Sequence, residues 1–200
     1  MARLHNGRTG CHPIGLAHSA TPLKSSMSSP IPSPEGTPTA KVPHRDLPPY
    51  RYVPGLNPHP FRHENGHMFT DGTAPKEESW DPETPWTQDE RFLYGADLFD
   101  QRYYWEAHEA WEALWHFAAP DTNPHRLLQS LIQYAAAALK HHMGHTQGAE
   151  RLYQRATERL KVILQSEATP YRGIHIRELI TRMENHLQGG PWPTLPMDAP

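Results

Sequence analysis

The sequence predicts an all-α protein, a compact bundle of about five helices that short loops join into antiparallel hairpins. Apolar residues recur at helical spacing in successive segments between residues 87 and 188. Residues that typically start and stop helices separate those segments. No alternating apolar and polar pattern long enough for a useful strand occurs, which argues against a sheet.

The first two helices are predicted from the residues at their ends. Thr87 and Glu90 have the spacing of a capping box, which predicts a first helix over residues 88–100. A short break follows, and a second helix is predicted over residues 102–118. Its end is set by Pro120, because proline lacks the N–H that would continue the helix.

The third helix is predicted over residues 124–143 and is expected to be the central one. Asn123 would cap it, and Pro124 occupies the first turn, where a missing N–H costs little. Its wide apolar face predicts burial against more than one neighbour. Gly144 is a natural stop at its C-terminus.

Two further helices complete the predicted bundle. Thr146 would cap the fourth, whose apolar stripe runs from Ala149 to Ile163. The fifth is predicted over residues 174–187, before the glycines and proline at 189–191.

The chain divides into four predicted regions. Residues 1–44 are expected to be a disordered tail, because frequent prolines prevent regular structure there. Residues 45–86, here called the strap, mix prolines with aromatic side chains and are expected to lie extended over the folded body. Residues 87–188 form the helical domain, and residues 189–200 are a Pro-rich C-terminal tail.

Composition excludes several classes of protein. A formal net charge of −3 gives no general attraction to nucleic acid or to anionic membranes. The single cysteine, Cys11, excludes an intramolecular disulfide. No apolar run approaches the roughly 18 residues of a membrane span. We therefore expect a cytoplasmic protein, with an organelle transit peptide in residues 1–45 as the alternative, since that segment has few acidic residues.

The most distinctive segment is residues 103–115 on the second predicted helix. It holds three tryptophans, one histidine and three glutamates. At about 100° per residue, His108 and Glu112 are neighbours on the border of the apolar stripe, with Glu109 beside them. Glu106 is expected on the far side of the helix. The predicted binding residues are Trp105, His108, Trp111, Glu112 and Trp115.

A histidine and two carboxylates at this spacing suit two kinds of chemistry. His108, Glu109 and Glu112 could act as general acid and base, or they could bind a divalent metal from adjacent helical turns. A metal would need further ligands from other parts of the chain. The candidates are His59, His63 and His67 in the strap and His141 and His142 near the end of the third helix.

A structural role is the favoured interpretation of this His/Glu/Trp cluster, and the two kinds of chemistry are its alternatives. His108 and Glu112 could form a buried polar clamp that ties the second helix to the strap or to the third helix. Removing His108 would then leave Glu112 unpaired and would cost several kcal/mol.

The segment also resembles a known family. The motifs are Phe92-x-x-Gly95-x-x-Leu98-Phe99 followed by Tyr104-Trp105-Glu106-Ala107-His108-Glu109-x-Trp111-Glu112-x-x-Trp115. Over about residues 88–165 the chain resembles the domain of unknown function 309 (DUF309) family. The family usually has Asn where this chain has His145. The resemblance implies a compact all-helical domain and no established reaction.

Two functions are consistent with these observations. The first is a non-enzymatic module that binds an unknown protein or small-molecule ligand beside the second helix. The spacing of Gly95, Leu98, Ala107 and Trp111 supports it, because it is similar to a tetratricopeptide hairpin, although any tightly packed helix pair needs small residues at its crossing. The second is a hydrolase-like enzyme, metal-dependent or acid/base, that uses His108, Glu109 and Glu112. Self-association stays open, with Phe117 as its one hint.

Overall fold

A computed structural model describes residues 29–36, 39–71 and 79–200 of the protein. These residues contain five α-helices and no strand, only isolated bridges, which confirms the all-α prediction. Part of the predicted disordered tail, residues 1–28 and 37–38, lies outside the described residues. The helices are α1 (Glu90–Asp100), α2 (Tyr104–Trp115), α3 (Asn123–His142), α4 (Thr146–Ser166) and α5 (Ile176–Leu187).

The start of α1 differs from the capping-box prediction, which was wrong. Thr87 lies in a short 3-10 turn, and the N-cap is Asp89, whose carboxylate accepts a hydrogen bond from the Phe92 N–H at 3.0 Å. The other Asp89 oxygen accepts from the Trp80 indole and from Arg172, both at 2.9 Å. These tertiary partners fix where the helix begins, and a local motif could not reveal them.

Two other predicted caps are displaced by one residue. Thr122, not Asn123, caps α3 by accepting from the His125 N–H at 3.4 Å. Residue Thr146 is already inside α4, which has no side-chain cap. Gly144 follows α3 with a φ of +77°, so the predicted glycine stop is confirmed.

Helix α3 is the centre of the bundle, as its sequence predicts. It packs against α2 on one side and α4 on the other, while α1 packs on α2 and α5 on α4 and α3. At the crossing of α1 and α2, Gly95 lies directly against the indole of Trp111, where any Cβ would overlap the ring. Burial of the apolar faces of these helices therefore determines the architecture.

Chain segments before and after the bundle are tied to α1 by buried carboxylates. The Asp97 carboxylate accepts hydrogen bonds from the backbone N–H groups of Lys41 and Val42 at 2.8–2.9 Å. The Asp100 carboxylate accepts from the Lys41 ammonium at 2.8 Å and from the Leu195 N–H at 2.6 Å. Val42 is buried in this contact. The helical bundle and the extended segments therefore share one packed interior.

Within the described part of the chain, no helix has the length and the apolar character that crossing a membrane requires.

Candidate functional site

Helix α2 presents two different faces to the rest of the protein. Ala107, Trp111 and Leu114 are fully buried and face the core. On another face, Trp105 meets the strap, with its ring centroid 5.1 Å from that of Tyr52 and 5.6 Å from that of Phe61. The strap thus covers part of the helix surface that an isolated bundle would leave to solvent.

The strap does not close completely on α1 and α2. Between them lies an open cleft of about 640 Å³, here called the strap cleft. Residues 45–49 with Phe61, His67 and Met68 contribute to one side, and α1 and α2 to the other. Its apolar surface comes from Leu47, Met68, Leu98, Ala110 and Ala113, and its acidic side chains are Asp46, Glu106, Glu109 and Glu112.

Glu106 is the most unusual group in the strap cleft. The residue is 3% exposed, and its Oε1 accepts the backbone N–H of Tyr52 at 3.0 Å. Its Oε2 has no hydrogen-bond partner in the part of the chain that the structure describes. Burial raises the pKa of the Glu106 carboxyl to about 7; the Tyr52 N–H and the Arg51 charge oppose this rise, and Glu109 adds to it. Near neutral pH this group can therefore hold or release a proton.

His67 lies beside Glu106 and is equally buried. Its side chain is 5% exposed, and its Nε2 is 3.6 Å from Glu106 Oε1, which is too long for a hydrogen bond. Neither ring nitrogen has a hydrogen-bond partner, and the ring packs edge-on against Tyr50 at 4.6 Å. Burial lowers the pKa of the His67 imidazole, so the neutral form is favoured.

The predicted cluster on α2 is brought together in the structure. His108 Nδ1 lies 3.2 Å from Glu109 Oε1 and 3.9 Å from Glu112 Oε2. One potential ligand atom from each of the three residues lies within 4.8 Å of the other two. All three are partly exposed, and the His108 Nδ1 makes no hydrogen bond. Glu109 and Glu112 line the strap cleft, so the cluster stands at its edge.

The structure separates the other predicted ligands from this cluster. Among the described residues, no fourth histidine or carboxylate joins the three that could share an ion. His59 packs between Tyr52 and Trp105, with ring centroids 5.3 and 5.7 Å away. His141 stacks edge-on against His186 at 5.0 Å.

The three predicted tryptophans also have different surroundings. Trp111 is fully buried, and its indole N–H donates to the Phe92 carbonyl at 3.3 Å. Trp115 is half-buried beside His125, with ring centroids 5.0 Å apart. Only Trp105 contacts the strap. The aromatic part of the predicted binding set is therefore distributed over three places along α2.

Sequence reasoning missed Glu106, which it placed on the far side of α2. The direction was right, but the strap covers that side and buries the carboxyl. A signal was available: Ala110 and Ala113 lie on the same side of the helix as Glu106, and small side chains leave room for a covering segment.

The comparisons with known proteins agree with the motif on α1 and α2. No curated protein and no solved structure matches the chain. Residues 92–152 match the family model described as Domain of unknown function (DUF309), which confirms the resemblance seen in the sequence. The match extends from the first turn of α1 into α4 and includes all of α2. The matched segment is similar to the DUF309 family and includes Glu106, His108, Glu109 and Glu112.

Proposed function

We propose that the protein is a binding module that holds a small organic molecule in the strap cleft. The observation that supports this most directly is the cleft itself. Its volume of about 640 Å³ lies within the range of about 300–1,000 Å³ that is typical of small-molecule sites. Its surface combines apolar side chains with a few polar groups, as such sites do.

The test is to fill the strap cleft from its exposed side. Ala113 lies on the cleft surface and is exposed, so an Ala113→Trp substitution adds an indole there without disturbing the core. A panel of fragments would be screened against the full chain by ligand-observed NMR. We expect bound fragments to lose their signal with Ala113→Trp.

The matched control is Ala119→Trp, since Ala119 is exposed and does not line the strap cleft. Fragments that bind wild type should still bind this variant. Equal binding of the fragments to Ala113→Trp and to wild type would contradict the proposal, as would a panel with no binders.

A second candidate is supported by one specific observation, the proximity of His108, Glu109 and Glu112. Three protein ligands that leave one coordination position open are the arrangement of many catalytic zinc sites. We propose as the alternative function a metal-dependent or acid/base enzyme, hydrolase-like, with a divalent ion held at this cluster on the edge of the strap cleft.

Isothermal titration with Zn²⁺ distinguishes this alternative. Wild type should bind one ion, and His108→Ala should bind about 10- to 100-fold more weakly, as is usual when the environment of a metal site is damaged. His116→Ala is the control, because His116 lines the strap cleft without belonging to the cluster. Equal Zn²⁺ affinity in wild type and His108→Ala would exclude the metal site.

A further inference from the structure

We propose that the ligand of the strap cleft is an organic cation, a primary ammonium on an apolar body, whose charge lies between Glu106 and Glu109. This inference rests on the proposed function, because it assigns the chemistry of the molecule that the cleft would hold. Three features of the cleft support it: the hydrogen bonds of Glu106, the charges around Glu106 and the neutral imidazole of His67.

Glu106 differs from the other buried carboxylates in having one unpaired oxygen. The two buried aspartates of α1 that contact Lys41 use both of their oxygens: Asp97 and Asp100 each accept donors on Oδ1 and Oδ2. Glu106 is as deeply buried but uses only Oε1. A buried acceptor without a partner among the described residues is costly, and Glu106 is one of the residues that line the strap cleft. A donor from a bound molecule would complete its hydrogen bonding.

The charges around Glu106 also favour a cation. Glu109 adds to the negative potential at Glu106, and among the described residues no lysine or arginine forms an ion pair with either carboxylate. The Arg51 guanidinium is directed elsewhere, since its Nε donates to the Gln101 carbonyl at 2.8 Å and it stacks on Tyr103. A ligand cation would offset the burial of Glu106 and its repulsion from Glu109.

The two arginines on the cleft surface do not reverse this preference for a cation. The Arg45 guanidinium stacks over the Tyr94 ring at 4.0 Å from its centroid. Arg91 donates to the Ser79 carbonyl at 3.3 Å. The buried polar atoms of the cleft that have no hydrogen-bond partner belong instead to Glu106 and His67.

His67 supplies a further acceptor. Because burial favours its neutral form, one ring nitrogen carries a lone pair, and both nitrogens are without a partner. An ammonium has three N–H donors. Glu106, His67 and Glu109 offer one acceptor each along the same cleft, while Leu47 and Met68 provide surface for the apolar body.

The test compares three probes that share one ring: benzylamine, its neutral counterpart benzyl alcohol, and the anion benzoate. Each is titrated into the full chain with EDTA present, and dissociation constants are read from NMR shift changes. Benzylamine should bind about tenfold more tightly than benzyl alcohol, the effect of one hydrogen bond to a charged group. With Glu106→Gln this preference should disappear, whereas Ala119→Trp, which lies outside the cleft, should retain it.

Glu106→Gln is a conservative variant, because the glutamine side-chain oxygen can still accept the Tyr52 N–H. Glu109→Gln is the second variant and should weaken benzylamine binding about two- to threefold, as expected for a partly exposed charge. Benzyl alcohol should still bind to both variants, which would show that each of them keeps the cleft.

The outcomes separate this inference from the function on which it rests. Equal binding of benzylamine and benzyl alcohol to wild type would overturn the inference and leave a neutral-ligand cleft. Tightest binding of benzoate would overturn it in favour of an anion held by Arg45 and Arg91. Absence of binding by all three probes and by the fragment panel would overturn both proposals.

Discussion

Asp97 on α1 and Glu106 on α2 are both buried carboxylates that receive backbone N–H donors from segments preceding the bundle. At Asp97 the contact is complete, since Lys41 and Val42 saturate both oxygens. At Glu106 one oxygen accepts the Tyr52 N–H, and the other is buried without a hydrogen-bond partner among the described residues, beside the strap cleft. The same kind of contact, a backbone N–H donated to a buried carboxylate, therefore closes the surface at Asp97 and leaves an open cleft beside Glu106.

The difference shows how a structural contact and a binding site can be distinguished. A saturated carboxylate has no remaining capacity for a ligand, and its removal should damage the fold. A buried carboxylate with one unpaired oxygen lowers the stability of the fold while it is charged and has no ligand. Its removal should therefore not damage the fold. Substitutions at the two positions should consequently have opposite effects on the free energy of unfolding.

The largest effect is expected for Asp97→Ala. It leaves the N–H groups of Lys41 and Val42 buried without an acceptor and removes a negative charge near the Lys41 ammonium. We expect a loss of about 3–5 kcal/mol in the free energy of unfolding, measured by urea denaturation. The control is Glu178→Ala, which breaks an exposed pair with Arg182 and should cost no more than about 0.5 kcal/mol. Similar losses for the two variants would contradict a structural role for Asp97.

The next effect is expected for Glu106→Gln and depends on pH. Because the pKa of Glu106 is raised from 4.5 to about 7, the folded state binds its proton more tightly than the unfolded chain. The wild type therefore loses stability from this group as pH rises from 4.5 to about 7, and Glu106→Gln removes that loss.

The two proteins should be about equally stable at pH 4.5, measured by denaturation at several pH values. At pH 8 the variant should be more stable, by at most about 3 kcal/mol, which is the full shift converted to free energy. A variant less stable than wild type at pH 8 would show that Glu106 is a structural contact like Asp97.

The smallest effect is expected for His108→Ala. Its Nδ1 makes no hydrogen bond, and both neighbouring carboxylates are partly exposed. A loss of no more than about 1 kcal/mol in unfolding free energy is expected, as for surface ion pairs. Thermal denaturation without added metal provides the measurement. A loss of several kcal/mol would instead establish the polar clamp between His108 and Glu112.

The helices could be predicted from the sequence because their signals are local. Apolar periodicity, Pro120 and Gly144 identify the elements without reference to distant residues. The exact start of α1 could not be predicted, since Asp89 is held by Trp80 and Arg172 from remote parts of the chain. Local patterns therefore predict where a helix lies, while tertiary contacts determine the exact residue at which it begins or ends.

The candidate site shows the same division. The proximity of His108, Glu109 and Glu112 follows from one helix, so spacing alone was sufficient to predict it. The burial of Glu106 requires the path of the strap, which has no periodic pattern to follow. The sequence therefore indicates the cluster of His108, Glu109 and Glu112, while Glu106 becomes a candidate only once the path of the strap is known.

The attachment of Lys41 and Leu195 to Asp100 has a consequence for cooperativity. Residues about 150 positions apart in the chain meet on one side chain, so the two ends of the packed structure should open together. The family match covers only residues 92–152, a segment that lacks both of these donors and most of α4. We therefore expect a fragment limited to residues 92–152 to be much less stable than the full chain, because it lacks these contacts.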